Sequence, residues 1–500
     1  MPQLRGSDHQ SRSDEFVGGI RGPEFSRIFG IETEYGVSVT ENTRPVETGQ
    51  VAMMMFQPVV TRSRSTNTYL GNGARLYLDV GSHPEYATAE TLTPLAALAQ
   101  DLAGEHIMRR LALDAQRQLR EHYGEAAKIH VFKNNTDSSG HSFGCHENYL
   151  LRRFVSLRTI ERELIPFLVT RQLFSGAGML GPEGFEMSQR ARFLDDAVSS
   201  ATTRARPMVN TRDEPHANPD QYRRLHVIVG DSNRSQTATW MKLATTHLVL
   251  SAIEESVAQD EASPFESCVL QDPGLAISQV SKDISGKATI RLSEETTRGG
   301  GTTCALDVQR CYLQVAQSFV SRHADTIDDI LPDAAQVLEL WENALDAIDS
   351  HRWRDLASWV DWAAKLALFR RIESRYSADE DYARRRSQQI DFEYHDIVNG
   401  VTYPSLLHHG AMRTLLDEDA VRTAVDTPPA DTRAALRGAF VDKALRSDSL
   451  WACDWTHISL SSSNRVEAEL IDPFDARPTA EYLAVMKALD RPGVGLSYNA

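Results

Sequence analysis

Glu32 and Glu34 sit two residues apart in the run RIFGIETEYGVSVT. The run alternates, so both point one way while Ile31, Thr33 and Tyr35 point the other. A second alternating run, ARLYLDV, gathers Arg75, Tyr77 and Asp79 on one face and Leu76, Leu78 and Val80 on the other. Glu85 and Glu90 follow closely. Carboxylates are hard oxygen ligands suited to Mg²⁺. Two or three of them facing a nucleotide would neutralise phosphate charge and hold the β- and γ-oxygens. Asp79, at a strand end with Gly81 two residues on, has the setting of a base that takes a proton from an attacking amine. The same residues also suit plainer roles: Glu32 and Glu34 would line a solvated strand face, and Asp79 would close a turn.

A long polar segment, Ser199 to Tyr222, carries Arg204, Arg206, Arg212, Asp213, Glu214 and His216, with Arg223, Arg224 and His226 directly after it. Loops of that length inside a domain are usually functional. Arginine forks recognise phosphate or carboxylate, so a basic groove within an acidic protein is one reading; a solvated loop with ordinary surface ion pairs is the other. There is no HExxH and no Cys/His set with zinc spacing. Neither a P-loop nor a Rossmann GxGxxG in a βαβ frame occurs, and Gly299–Gly301 reads as a turn. No GxSxG elbow supports a serine hydrolase. Cys145 and His146 are adjacent in GCHENYL, a weak signal for a Cys-His nucleophile. His130, His395 and His457 read as structural.

Several elements must position these groups. Strands are expected at Lys128–Asn134, at about Glu147–Val155, and in RRLHVIVGD. Helical periodicity runs from Leu92 to about Tyr123, over Glu161–Phe174, over Thr237–Ala258 and through most of 300–375, where Trp341, Trp353, Trp359 and Trp362 are core or interface candidates. The stretch after Thr40 reads as loop-rich up to Asn72. Pro428–Pro429 is a break, followed by a small helix-plus-strand unit that includes Trp451–Leu460. Strands mixed with helices, several strands charged on one face, predict an α+β fold: an antiparallel sheet with one polar face lining a site, backed by helices. Three segments are expected: a disordered extension at 1–25, a large catalytic domain at 26–425 and a small C-terminal domain at 426–500.

The composition permits this and excludes much else. Of 500 residues, 41% are apolar and 24% charged, which rules out collagen, coiled coil and wholesale disorder. Lys+Arg number 53 against 69 Asp+Glu, a formal net charge of −16. That argues against general affinity for nucleic acid or anionic membrane. Five scattered cysteines without a CxxC point to reduced thiols and a cytoplasmic setting. The first residues lack a signal-peptide core, and no apolar run approaches the ~18 residues of a membrane span.

The blocks RIFGIETEYGV, NGARLYLDVGSHPEYATAE, FKNNTDSSGHSFGCHENYL, PFLVTRQL, SSATTRARPMVNTRDEPHA, YRRLHVIVGDSN, YHDI and AVDTPPADTRAALRG together resemble the Pup–protein ligase family, from about Arg27 to Phe474. The resemblance implies a glutamine-synthetase-like, carboxylate–amine ligase fold with a curved antiparallel sheet cradling ATP. It implies ATP and Mg²⁺ as cofactors, the small acidic modifier Pup and lysine-bearing proteins as partners, and a monomer. The implied reaction phosphorylates the γ-carboxylate of Pup's C-terminal glutamate; a lysine then displaces phosphate, marking the target for a proteasome. The implied base is Asp79. The implied metal positions are Glu32, Tyr77 and Glu85, to which Glu34 is added from its place on the same face. The implied nucleotide positions are Arg75, Thr88 and Trp455. Arg206, Arg212 and His226 are further candidates for phosphate or Pup-carboxylate contacts. A sister family of depupylases shares the fold, but this chain has GIETEYG and LYLDVGSHPEY, and only 35 residues separate Gly36 from Asn72, the shorter spacing of the ligases. A small-molecule glutamate–amine ligase is a second alternative. A non-catalytic Pup binder is disfavoured by the retained Asp79, Glu32 and Glu85. The chain departs from the family pattern in its N-terminal extension, in VNGVTYP after YHDI and in the Gly-rich turn Thr296–Thr303.

Overall fold

Tyr35 splits the first alternating run in two. The computed structural model describes residues 25–79, 81–137, 140–194, 196–200, 206–296, 299–461 and 465–490. In it, β1 (Phe29–Glu34) and β2 (Gly36–Thr40) belong to different sheets, and Tyr35 is buried at the corner between them. The other strands before residue 150 start at β3 (Asn67–Tyr69), β4 (Arg75–Leu78), β5 (Pro84–Ala87), β6 (Lys128–Phe132) and β7 (Cys145–Arg152). Then come β8 (Met179–Gly181), β9 (Gly184–Glu186), β10 (Asp196–Ser199), β11 (Pro207–Asn210) and β12 (Tyr222–Val227). The main sheet has eight strands in the order β10-β11-β12-β7-β1-β5-β4-β3. Its pairs are antiparallel except β10 with β11, which are parallel, so the sheet is mixed where a purely antiparallel one was expected. β2 pairs with β6, and β8 with β9, as separate ribbons.

The register decides which side chains share a face, because directly opposed residues point the same way. Glu34 opposes Glu85, and Glu85 opposes Tyr77. Glu32 opposes both Ala87 and His146, while Ala87 opposes Arg75. Asn148 opposes His226, and Leu150 opposes Arg224. All of these therefore stand on one face. Ile31, Thr33, Leu76, Tyr86, Cys145, Tyr149 and Leu225 stand on the other and are buried.

Helices cover that apolar face. Pro94–Tyr123 is capped by Thr93, whose hydroxyl accepts from Ala96 N, and starts with proline at its first turn. Gln236–Ala258 is buried along nearly its whole length, and its buried charges are paired: Lys242 Nζ donates to Asp231 O and Glu254 pairs with Arg27. Both belong to cores that also take in Trp341, Trp353, Trp359 and Trp362, the four tryptophans that the sequence marks as core candidates. A smaller core joins Leu436, Phe440 and Val441 of the helix Ala434–Ala444 to Ile458, Leu460 and Val485, with Tyr69 of β3 also in it.

Three expectations fail here. The stretch after Thr40 is not all loop: Thr48–Ser63 is a helix that buries Val51, Ala52, Met55 and Phe56. Gly49 and Pro58 within it and an N-cap without a side-chain bond hide it from propensity. Glu161–Phe174 is not one helix but falls in three short ones, Leu157–Glu163, Ile165–Thr170 and Gln172–Ser175, interrupted at Leu164, next to the first-turn Pro166, and at Arg171. Phe25, assigned to the disordered extension, is buried edge-on against Phe319 at 5.2 Å; the rest of that expected extension lies outside the described residues. After YHDI, Asn399 Nδ2 donates to Ile129 O at 2.6 Å and ties VNG to β6. Between residues 289 and 304, β13 (Ile290–Leu292) pairs with β14 (Gly301–Thr303) across a turn with positive φ at Gly299, Gly300 and Gly301. β15 (Leu450–Cys453), β16 (His457–Ser461) and β17 (Val466–Glu469) form a three-stranded antiparallel sheet in the smaller core.

Candidate active site on the polar face of the sheet

The face carries a cluster of carboxylates and imidazoles. Ligand atoms of Glu32, His146 and His226 lie within 4.8 Å of one another, as do those of Glu34, Glu85 and His146. His146 Nδ1 is 3.4 Å from Glu32 Oε2, and its Nε2 is 3.9 Å from Glu34 Oε1. His226 Nε2 is 3.7 Å from Glu32 Oε2 and is buried without a hydrogen-bond partner. Asn148 Nδ2 donates to Glu32 Oε1 at 3.1 Å. Arg224 Nη1 reaches the same oxygen at 3.4 Å, and its Nη2 reaches Glu214 at 3.3 Å.

The charges there are unbalanced in an informative way. Burial pushes the Glu85 carboxyl well up, and the negative charges of Glu32 and Glu34 push it further. Burial also acts on Glu32, but the hydrogen bond from His146 and the positive charge of Arg224 outweigh it and hold that carboxyl low. Burial lowers His226 to about 3, against the pull of Glu32, so its imidazole is neutral at physiological pH. Burial and the neighbouring Glu32 and Glu85 raise the Tyr77 phenol, which stays protonated and hydrogen-bonded to Glu85. Clustered acids supply the hard oxygen donors that suit Mg²⁺, and the neutral His226 ring, with its buried Nε2 unbonded, could face a divalent cation. The residues present therefore fit Mg²⁺.

Each sequence-derived candidate has a definite place. Glu32, Glu34, Glu85 and Tyr77 converge. Asp79 follows the last residue of β4; its N–H donates to His83 O at 3.0 Å and its carbonyl accepts from Ser82 N at 2.8 Å, so the side chain stands exposed at a tight turn. Arg75 Nε donates to Asn67 Oδ1 at 2.9 Å, and its guanidinium lies 4.4 Å from the Tyr77 ring centroid. Thr88 Oγ1 accepts from Ile31 N at 3.0 Å. Trp455 stands between two cavities. One, of about 80 Å³, runs among Glu32, Thr88, Asn148, Arg224 and Arg433; the other, of about 560 Å³, runs among Asn67, Tyr69, Arg75 and Cys453.

Other candidates fall differently. His226 sits in the ligand cluster as a neutral ring, not as a cation for phosphate. Arg212 is exposed, with its charge felt at His226. Arg206 is exposed and lies 5.8 Å from the Phe193 ring centroid, so it does not join the cluster. Arg204 lies outside the described residues. Glu90 is not with the other carboxylates; it is buried against Arg433 and Arg437. Cys145 and His146 cannot act as a pair, because adjacent strand residues point to opposite faces: Cys145 is buried near Thr33, 4.0 Å away. His146, Asn148 and Arg224 join the cluster without having been expected there. The period of two in CHENYL is enough to place His146 and Asn148 together.

The fold is of the α+β class, a mixed eight-stranded sheet with helices over its apolar face and a carboxylate-rich polar face. The family model described as Pup-ligase protein matches residues 27–459. The curated Pup–protein ligase of Bifidobacterium longum subsp. infantis is 56% identical over 492 residues, covering 98% of this chain and 100% of that protein. That of Bifidobacterium adolescentis is 53% identical over 498 residues, covering 98% of this chain and 100% of that one. Among solved structures, the complex between the prokaryotic ubiquitin-like protein Pup and its ligase PafA superposes with a TM-score of 0.82 at 33% identity, covering 93% of this chain and 91% of that one. The Pup ligase PafA in complex with ADP gives 0.75 at 33% identity, covering 90% and 98%. The chain belongs to the Pup-ligase family.

Proposed function

We propose that this protein uses ATP to join the C-terminal glutamate of Pup to lysines of target proteins through a γ-glutamyl phosphate. The observation that carries the reading is the register of β1, β4 and β5. It sets Glu32, Glu34, Glu85 and Tyr77 on one face of the sheet, with Asp79 exposed just past the end of β4. The solved structures the chain resembles include a ligase in complex with Pup and one in complex with ADP.

A carboxylate is a poor acylating agent, so the first step makes it one. The γ-carboxylate of Pup attacks the terminal phosphorus of ATP, a P–O bond breaks, and ADP leaves. Glu32, Glu34 and Glu85, with His146 and His226 beside them, would hold Mg²⁺, which when bound would supply neutralisation of phosphate charge. Tyr77 keeps its proton and holds Glu85 in place. Arg224, between the carboxylates and the Trp455 cavity, is placed to meet phosphate oxygens. In the second step the lysine nitrogen attacks the acyl carbon. The C–O bond to phosphate breaks, and the amine's proton passes to an Asp79 carboxylate oxygen. Arg75, Thr88 and Trp455 hold the nucleotide on this reading.

The acting molecule is a cytoplasmic monomer with a catalytic domain at 26–425 and a small domain at 426–500, a division supported by the separate core around Phe440 and Ile458. Among the described residues no helix is long and apolar enough to cross a membrane. Incubation with Mg²⁺, ATP, Pup ending in Glu and a lysine-containing lysate tests the reading. Adducts that need ATP and carry Glu–Lys isopeptides by mass spectrometry are expected. Release of Pup from a ready-made conjugate, without adduct formation, would overturn it.

A further inference from the structure

Arg437 lies on the helix Ala434–Ala444, fully buried, and its guanidinium joins three separate segments. Nε and Nη2 donate to Gly73 O, in the β3–β4 turn, at 3.1 and 2.8 Å. Nη1 donates to Glu90 Oε1 at 3.0 Å and to Trp455 O at 3.2 Å, while Nη2 also pairs with Glu90 Oε2. The flat face of the same group lies 4.8 Å from the Trp455 ring centroid and 5.6 Å from that of Tyr69. One turn earlier, Arg433 Nε donates to Glu90 Oε1 at 2.7 Å and its Nη1 to Leu470 O at 2.9 Å. Burial alone would raise Glu90, but the two guanidiniums hold it down at about 2. Glu90 is two residues beyond Thr88, which is bonded to Ile31 beside Glu32.

We propose that Arg437 is a positioning residue for the nucleotide: through Glu90, Gly73 and the Trp455 backbone it fixes the indole at a set distance from Thr88 and Arg75. A buried arginine needed only to neutralise Glu90 could do so with its fork alone. Here the fork is spent on both sides of the junction while the π-face of the same group supports the ring. Gly73 has φ +79°, and a Cβ there would come within 3.0 Å of Ala434 O, so the turn is built for this close approach. A lysine would keep the charge but lose the planar fork and the stacked face.

The inference rests on the reading of Trp455 as a nucleotide contact, and the test separates the two. ADP affinity is measured by calorimetry on the full chain for wild type, Arg437→Lys, Trp455→Ala and the double variant, beside steady-state constants for ATP and Pup. Arg437→Lys is expected to weaken ADP and raise KM for ATP about tenfold, with kcat within about threefold and KM for Pup unmoved. In the Trp455→Ala background the same change is expected to add little, because the ring it positions is gone. Fully additive losses, or a fall in kcat with ADP affinity intact, would overturn the positioning role. ADP binding by Trp455→Ala equal to wild type would remove the nucleotide reading of Trp455 and the positioning role with it. If Arg437→Lys does not fold, Glu90→Gln, which keeps the partner's shape, takes its place in the same cycle with the same expected and contrary results.

Discussion

Glu34 and Glu85 stand directly opposite each other across β1 and β5. Like charges in that position destabilise a sheet, and Glu32 and Asp79 add to the repulsion at Glu85. On the proposed reading a cation between the strands relieves this repulsion; without one, Glu85 relieves it by keeping its proton. Folded, Glu85 keeps its proton to higher pH than the ordinary 4.5. Metal-free protein should therefore lose stability as pH rises above 4.5, and Mg²⁺ should give back more Tm at pH 8 than at pH 5. Thermal melts with EDTA or Mg²⁺ across that range check this. Glu85→Gln should flatten both curves; an unchanged metal response in that variant would take Glu85 out of the ligand set.

Gly144 predicts a metal phenotype from a residue that touches no metal. A Cβ there would lie 2.2 Å from His146 Nε2 and 2.9 Å from Glu34 Oε1. Gly144→Ala should push both side chains off the site and raise the Mg²⁺ needed for half-maximal activity by about tenfold or more, matching His146→Ala. Mg²⁺ titrations of ATP turnover for both variants decide it. A Gly144→Ala enzyme with the wild-type requirement would show that His146 does not serve the cation.

On the back of the sheet, Glu147 is buried against Arg171, 2.5 Å from Nη2, and Tyr149 donates its hydroxyl to the same carboxylate. Glu147→Ala would leave a guanidinium in the core without its partner. Denaturant unfolding should show a loss of roughly 3–5 kcal/mol, with nucleotide affinity of the folded fraction unchanged. A loss below about 1 kcal/mol would mean that water or a neighbour replaces the carboxylate.

The strands that build the site are legible because their chemistry alternates: GIETEYG and ARLYLD place charged residues at every second position, which by itself marks a polar face. What is not legible is the pairing of one strand with the next. Glu90 has the same type and neighbourhood as Glu85, yet it lies past the end of β5 and turns towards Arg433 and Arg437, whose distance in sequence conceals the contact. His146 is within reach of the period-two rule, but its neighbour Cys145 draws attention to a different chemistry. Gly49 and Pro58 conceal the helix Thr48–Ser63, whose existence rests on tertiary burial of Val51, Met55 and Phe56. Arg206, in the same polar stretch, stands exposed over the Phe193 ring and apart from the carboxylate cluster.

In the proposed reaction Asp79, at the turn after β4, takes the proton from the attacking lysine. The most direct measurement compares wild type with Asp79→Asn in two assays on the same preparation: ADP affinity, and formation of Pup–lysine isopeptide with ATP and Mg²⁺. Near wild-type ADP affinity and a loss of ligation of about 10²–10⁴-fold are expected. Ligation at the wild-type rate by a folded Asp79→Asn enzyme would contradict this role.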